Sequence, residues 1–580
     1  MRLPGVLKLP PGIMAGVENK FALIVMPLVL AWIAAQPAIA GEWSQGPGYR
    51  ALAVEPGPSG KAGFTLMPAS QTGVTFSNTV PLERHLTNQI FLNGSGLACG
   101  DVDGDGQCDL LFCGVNGTLV LYKNLGQWRF EDITAQAGLN GRGLPYTGVL
   151  LVDIDGDGDL DVVISTLNFG LHLFFNDGHG RFQPSSQSGI LNAKRGGLSM
   201  VMGDVDGDGD LDLYVANYRS VTIRDEPNTP LTIGFVNGQP VVQKVGGRPL
   251  THPDLTNRFS FNVKMADGRG SVQIEEHGEP DALFINNGNG QFSEVSWTGG
   301  AFLDESGNPL REPLYEWGQS VVMRDINQDG FPDIYVCNDF ISPDRLWLGD
   351  GRGHFRLQPT LAIRHQTLAS MGADFADINR DGWDDFLVLD MLSRDHRMRF
   401  AQRPLTDAGQ PPLGAYKNRP QYPRNMLYLN QGDGTWAEIA DFAILDAADW
   451  AWTPIFLDVD LDGYEDLLVA NGFERDNMHV DTLQELDRTK KTSQLSSIEQ
   501  LRLRQRFPRL DTPNCAFRNL GNLRFADVSS EWGFDTRAVS QGMALADLDN
   551  DGDLDVVINN FNGQAGLYRN NSSAPRVGVR

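Results

Sequence analysis

DVDGDGDLD, residues Asp204 to Asp212, is the stretch on which the fold turns, because six further copies stand in the same frame along the chain. They are DVDGDGQCD from Asp101, DIDGDGDLD from Asp153, DINQDGFPD from Asp325, DINRDGWDD from Asp377, DVDLDGYED from Asp458 and DLDNDGDLD from Asp547. Position 1 is always Asp (Asp101, Asp153, Asp204, Asp325, Asp377, Asp458, Asp547), as are position 5 (Asp105, Asp157, Asp208, Asp329, Asp381, Asp462, Asp551) and position 9 (Asp109, Asp161, Asp212, Asp333, Asp385, Asp466, Asp555). Position 3 is Asp103, Asp155, Asp206, Asn327, Asn379, Asp460 or Asp549, and position 6 is Gly throughout. Side-chain oxygens at alternate positions around a glycine turn suit a hard cation such as Ca²⁺, which takes several carboxylate and carbonyl oxygens. Position 7 varies through Gln107, Asp159, Asp210, Phe331, Trp383, Tyr464 and Asp553, as expected where the backbone carbonyl is the ligand. Asp and Gly crowd ordinary turns too, but seven repetitions in one frame set these loops apart. The expectation is up to seven Ca²⁺ ions, held by positions 1, 3, 5, 7 and 9.

An EF-hand would need flanking helices and a Glu at position 12. Here short apolar runs flank the loops instead, for example Val149 to Val152 before and Leu160 to Ile164 after, or Ile455 to Leu457 and Leu467 to Val469. Such runs around a turn read as a buried β-hairpin. A second phrase follows each hairpin in six repeats: LYKNLGQWRFEDI from Leu121, LFFNDGHGRFQP from Leu173, LFINNGNGQFSEV from Leu283, LWLGDGRGHFRL from Leu346, LYLNQGDGTWAEI from Leu427 and FRNLGNLRFADV from Phe517. Each reads as strand, Gly/Asn turn, strand, with an aromatic (Trp128 or Phe130, Phe182, Phe292, Phe355, Trp436, Phe525) opening the second strand. Four strands recurring about every 50 residues are the signature of a propeller blade. The expected fold is all-β, a seven-bladed β-propeller of four-stranded blades over residues 60–572, with strands A to D in each blade and the acidic loop on the A-B turn.

The last repeat lacks a fourth strand, while Gly63 to Phe76 (GFTLMPASQTGVTF) resembles the end of a repeat, so this segment is expected to supply the outer strand of the last blade and close the ring. Three long insertions, Asn217 to Pro280, Asp390 to Arg424 and Asn471 to Pro513, all join strands B and C. In an up-and-down blade the A-B and B-C connections emerge on opposite faces. The loops therefore line one face, and the insertions crowd the other. The first insertion contains a hairpin-like VNGQPVVQKVGGRPL, the second is Pro- and Arg-rich from Arg403, and the third carries Leu483, Leu486, Leu495, Ile498, Leu501 and Leu503 at helical spacing, one or two amphipathic helices.

The chain carries 47 basic against 73 acidic residues, a formal charge of −26, which argues against nucleic acid and anionic membrane as partners. A large share of the acids lies in the loops, so folding should be linked to cation uptake. Arg2, Lys8 and Lys20 precede the apolar run Phe21 to Ala35 and an A-x-A signal at Ala38 to Ala40, which reads as a secretory signal peptide over 1–40, followed by a linker over 41–59. A secreted, periplasmic or cell-surface protein with no membrane insertion after signal cleavage is the expectation. Five Cys without a C-x-x-C imply no disulfide framework; Cys113 and Cys337 share one place in their repeats and read as small packing residues.

These loops and N-x-G-x-G-x-F phrases resemble the FG-GAP/VCBS repeats, whose calcium-loop propellers include the integrin α-subunit head. The stretch DGDLDVVINNFNGQAGLYRNNSSAPRVGVR from Asp551 resembles the junction in proteins of the ASPIC/UnbV (cartilage acidic protein-like) type. The resemblance implies a calcium-binding adhesion module, with residues 573–580 the start of a C-terminal domain.

No G-x-S-x-G, H-E-x-x-H or P-loop is present. Asp390, Arg394, Asp395 and His396 open the second insertion and Arg475, Asp476, His479 and Asp481 the third, groups from which a hydrolase or lyase site could be assembled, although charges anchoring long loops are the simpler reading. His252, His277 and His365 have no spaced partner and read as structural. The expected function is a secreted binding or adhesion module for an extracellular protein or glycan, through the inserted face; the alternative is a polysaccharide-active enzyme on that face.

Overall fold

The computed structural model describes residues 44–46, 49–51, 61–266, 269–340, 342–402 and 420–572. The expected signal peptide, the Pro/Arg-rich stretch from Arg403 and the C-terminal 573–580 lie outside the described residues. Before Pro56 the described residues form one antiparallel hairpin, Ser44–Gly46 with Tyr49–Ala51.

From Pro56 onward the described residues form seven four-stranded antiparallel units, the second and third joined into one eight-stranded sheet through Ala193 and Phe169, and the fourth extended by Phe302–Leu303 running parallel to its strand at Phe355. In chain order strands A to D are Leu97–Gly100, Asp109–Cys113, Leu119–Asn124 and Phe130–Asp132 in blade 1, and Tyr146–Val152, Asp161–Phe169, His172–Phe175 and Gln183–Pro184 in blade 2. Blade 3 is Ala193–Gly203, Asp212–Asn217, Ala282–Asn286 and Phe292–Glu294; blade 4 is Gly318–Arg324, Asp333–Asn338, Arg345–Gly349 and Phe355–Leu357. Blade 5 is Ala373–Ala376, Asp385–Val388, Met426–Asn430 and Trp436–Glu438, and blade 6 is Ala451–Leu457, Asp466–Asn471, Cys515–Asn519 and Phe525–Asp527. Blade 7 takes Ser540–Ala546, Asp555–Asn560 and Gly566–Asn570 from the C-terminal end and Phe64–Leu66 from the other. Strand A of each blade lies beside strand A of the next, and that of blade 7 beside that of blade 1. The sheets therefore close into a β-propeller.

The core lies between blades. Strands B are buried along their whole described length in blades 1 and 3 to 7. Alternate side chains of a strand point to opposite sheet faces, so Leu110 and Phe112 pack toward blade 7 while Leu111 and Cys113 pack toward blade 2. Cys113 and Cys337 are fully buried packing residues at such interfaces.

The closing strand pairs Phe64 with Asn570 and Leu66 with Tyr568. It is shorter than the repeat-like segment Gly63 to Phe76: Pro68 lacks the N–H that a ladder needs, and a helical turn, Ala69–Thr72, follows. The next stretch, helix Leu82–Thr87 and 3₁₀ turn Gln89–Asn93, has no sequence counterpart in the repeats. It crosses the inner strands on the inserted face, with Asn93 Nδ2 donating to Gln319 Oε1 (3.1 Å) and Gln541 Nε2 to the Leu92 carbonyl.

The first insertion forms two hairpins, Leu231–Val236 with Gln239–Val245 and Phe259–Ala266 with Arg269–Glu276. Asn237 and Gly238 take φ of 50° and 77° at the first tip, the left-handed pair that a two-residue hairpin requires. In the third insertion helices Val480–Thr492 and Ser497–Arg502 carry Leu483, Leu486, Ile498 and Leu501, with Leu495 between them and Leu503 opening the following 3₁₀ turn; the second helix is opened by a capping box between Ser496 and Glu499. The second insertion holds helix His396–Ala401.

Candidate metal centres and the opposite face

Every acidic loop is wound by its own first residue. Asp101 Oδ1 accepts from the Gly104 and Asp105 N–H groups (2.9 and 3.1 Å) and Oδ2 from Gly106 (2.8 Å); Asp325 does the same with Asp329 (3.1 Å) and Gly330 (2.9 Å). The Gly at position 6 takes φ from 84° in Gly106 to 96° in Gly209, a left-handed value that favours glycine. Position 2 is buried in all seven loops (Val102, Ile154, Val205, Ile326, Ile378, Val459, Leu548) and faces away from the carboxylates. The aromatic side chains at position 7 rest against the turn glycine that follows strand C: Phe331 on Gly351, Trp383 on Gly432 and Tyr464 on Gly521.

Position 9 is the staple of each blade. Asp161 Oδ2 accepts the Ile154 N–H (3.0 Å) while Oδ1 accepts the Asn176 N–H (2.7 Å), tying the loop to the end of strand C, and Asp109, Asp212, Asp333, Asp466 and Asp555 repeat both bonds. Asp385 makes the strand C bond to Asn430 (2.8 Å). Burial pushes these carboxyls up, to about 6 in Asp212, about 7 in Asp161 and about 8 in Asp466 and Asp555, against the pull of the two N–H groups. A nearby cation would favour the ionised form again.

Do the residues fit an ion? Oxygens of Asp101, Asp103 and Asp109 lie within 4.8 Å of one another, as do those of Asp153, Asp155 and Asp161, of Asp204, Asp206 and Asp212, of Asp458, Asp460 and Asp466, and of Asp547, Asp549 and Asp551. In these same five loops the position 3 carboxylate (Asp103, Asp155, Asp206, Asp460, Asp549) keeps Oδ1 buried with no hydrogen-bond partner. A buried orphan acceptor is costly, and a divalent cation would satisfy it. Loops 4 and 5 carry Asn327 and Asn379 instead, and Asn379 Nδ2 donates to Asp381 (2.8 Å). The acidic clusters can hold a metal through positions 1, 3, 5 and 9.

Loops and strand C also stitch neighbouring blades. Asn124 donates its side-chain N–H to the Leu548 carbonyl of blade 7 (2.9 Å), Asn176 to Val102 of blade 1 (2.8 Å), Asn286 to Ile154 of blade 2 (2.8 Å) and Asn519 to Ile378 of blade 5 (2.9 Å). The accepting carbonyl is always that of position 2, so one loop serves its own hairpin and the next blade.

On the opposite face a second staple recurs at the B-C ends. The last residue of strand B donates its N–H to a side-chain oxygen just before strand C: Asn217 to Asp281 (2.7 Å), Asn338 to Asp344 (2.8 Å) and Asn471 to Asn514 (3.0 Å), with Asp390 to Asn425 (2.8 Å) equivalent in blade 5. Helix Leu82–Thr87, the turn Ile223–Asp225 and the third insertion surround a cavity of about 730 Å³. Leu86, Leu483, Leu486, Leu501, Leu503 and Phe507 contribute apolar wall, and Arg224, Glu474, Arg475, Asp487, Lys490 and Arg504 the charges. His85 is buried against it with neither ring nitrogen hydrogen-bonded; the Glu474 carboxylate lies 3.7 Å from Nε2.

The FG-GAP-like repeat family matches residues 101–164, 153–215, 325–388 and 415–469, each span running from a loop or its approach into the following strands. The chain is an FG-GAP repeat protein. Cartilage acidic protein 1 of Mus musculus is 26% identical over 315 residues, 48% of this chain and 46% of the relative, and that of Xenopus tropicalis is 26% identical over 327 residues, 49% and 46%. The chain thus spans about half the length of the curated relatives it matches. Among solved structures, Saccharomyces cerevisiae Sqt1 superposes with a TM-score of 0.38 at 9% identity, covering 86% of this chain and 99% of that one.

In this FG-GAP repeat protein the Asp, Arg and His groups of the insertions serve as anchors. Asp390 is buried and accepts the Leu368, Ala369 and Met391 N–H groups, and burial pushes its carboxyl up to about 7. Arg394 pairs with Asp449 (2.9 Å) and Asp527 (2.6 Å), while Asp395 caps helix His396–Ala401. Arg475 donates to the Gln505 and Phe507 carbonyls, Asp476 accepts the Met478 N–H, and His479 caps helix Val480–Thr492, whose first turn holds Asp481. His252 accepts the Asp254 N–H, His277 bonds Ser260 (2.7 Å) and His365 packs on Tyr422. The B-C staple escaped the sequence reading because its acceptors alternate between Asp and Asn and, in the blades with insertions, stand far along the chain from their donors.

Proposed function

We propose that this is an exported, calcium-stabilised β-propeller whose seven loops bind Ca²⁺ and fix the ring, and whose inserted face is a recognition surface for an extracellular protein or glycan. The observation that carries this reading is the division of the molecule. One face repeats the same acidic turn seven times, whereas the other carries the three insertions, the cavity, and the two most exposed aromatics among the described residues, Phe235 (65% exposed) and Phe400 (78%). Exposed aromatic side chains on a rigid scaffold are the residue types that dominate recognition surfaces. The insertion carboxylates are committed to caps and staples, which favours binding over catalysis there.

The test is a glycan array and a panel of purified extracellular proteins probed with wild type, Phe235→Glu, Phe400→Glu and Asp208→Ala in calcium. A ligand whose binding falls about tenfold or more with either aromatic change and survives Asp208→Ala supports the reading. A ligand lost with Asp208→Ala and indifferent to both aromatic changes contradicts it.

A further inference from the structure

The residue that precedes the strand C asparagine, or its equivalent Gly349 in blade 4, stands at the loop end of each strand C. In blades 1 to 7 it is Lys123, Phe175, Ile285, Leu348, Leu429, Arg518 and Arg569. Four blades place an apolar group there. In blade 1 the Lys123 ammonium is ion-paired with Asp103 and lies 2.9 Å from Asp105 Oδ2. In blade 6 Arg518 reaches the same two loop positions, Nε 2.7 Å from Asp460 Oδ2 and a terminal nitrogen 3.1 Å from Asp462 Oδ2. Arg569 of blade 7 is exposed and forms no ion pair among the described residues.

We propose that Lys123 and Arg518 are resident counter-cations that set loops 1 and 6 apart from loops 2 and 3 as two classes. In blades 1 and 6 the side chain neutralises positions 3 and 5, holds the loop closed without an ion, and lowers its affinity for a divalent cation; loops 2 and 3, whose clusters meet no basic side chain at those positions among the described residues, depend on the ion. The inference rests on the calcium reading of the loops. Its physical basis is competition: affinity at an oxygen site follows the number of ligand charges, and each cation removes part of that charge while occupying oxygens the ion would use. The two guarded blades are those whose loops can persist when calcium is scarce.

Calorimetric titration of the chelator-stripped full chain with CaCl₂ tests this, with melting curves in chelator run alongside. Lys123→Met and Arg518→Leu should each strengthen one site by about tenfold or more while lowering the melting temperature in chelator. Phe175→Lys, which installs the cation in blade 2, should weaken one site. Isotherms unchanged in all three variants, with heat of calcium uptake present in wild type, would overturn the two-class assignment alone. Lys123→Met and Arg518→Leu melting lower by equal amounts with and without calcium, with unaltered isotherms, would make both residues ordinary ion-pair partners and overturn it too. Wild type without any calcium uptake would remove the reading on which it rests.

Discussion

Asp161 shows how one residue type does two things in this chain. Its carboxylate is within reach of the cation cluster of Asp153 and Asp155, yet both oxygens are already engaged by the Ile154 and Asn176 N–H groups, and the side chain is 1% exposed. Asp161→Ala would leave two buried N–H groups without acceptors. A loss of about 2–5 kcal/mol follows, and denaturant unfolding in saturating calcium should show it, because the staple acts independently of the ion. Asp281, on the other face, is the same device away from the acidic loops. Burial pushes its carboxyl up to about 7, with bonds from the Asn217 N–H and the Tyr214 hydroxyl opposing. The folded chain therefore keeps a proton that the unfolded chain, with an ordinary carboxylate, releases from about pH 4 upward. This contribution is whole below that range and is lost as pH rises through about 7. Asn425 and Asn514 hold the equivalent position in blades 5 and 6, so Asp281→Asn should fold, and between pH 5 and pH 8 it should lose about 2–3 kcal/mol less stability than wild type. Parallel pH profiles would rule out that titration.

At the scale of elements, the closing strand is three residues long, yet it seals the ring. Phe64 is buried against Phe534 (5.4 Å) and its strand covers Gly566–Asn570. Removing residues 61–76 should expose that edge, and hydrogen exchange in Gly566–Asn570 should rise by orders of magnitude while blades 2 to 5 keep their protection. Uniform exchange across all blades would instead mean that the ring unfolds as a unit. Strand pairing, loop placement, ring closure and the helices of the third insertion were legible in the sequence, because each depends on a repeated local pattern: Asp at alternate loop positions, apolar runs on both sides, Asn-Gly turns, leucines at helical spacing. Helix Leu82–Thr87 with the turn Gln89–Asn93 was not legible. It matches no repeat, is too short to show a period, and is placed by single bonds such as Asn93 to Gln319 and by packing of Ile90 against Leu198 and Trp317. The second hairpin of the first insertion, Phe259–Ala266 with Arg269–Glu276, was missed although Phe259, Phe261 and Val263 alternate with polar residues as in a half-buried strand, because it stands outside the repeats from which the strands were read.

Over the whole molecule the decisive quantity is the charge of −26, concentrated on one face of the ring. Carboxylates crowded in seven loops repel, and the position 2 carbonyls that join blades lie inside those loops, so what steadies a loop also steadies the contact with the next blade. Cation uptake by the native state alone would stabilise it by about 2.7 kcal/mol per site at a hundredfold excess over Kd, so a few such sites together would be comparable with the 5–15 kcal/mol typical of a domain. The most direct measurement is the thermal unfolding of the purified chain in millimolar calcium and after chelation. Chelator should lower the melting temperature by about 10 °C or more, and added calcium, but not the same ionic strength of sodium, should restore it. Superimposable curves in the three conditions would contradict calcium stabilisation of the ring.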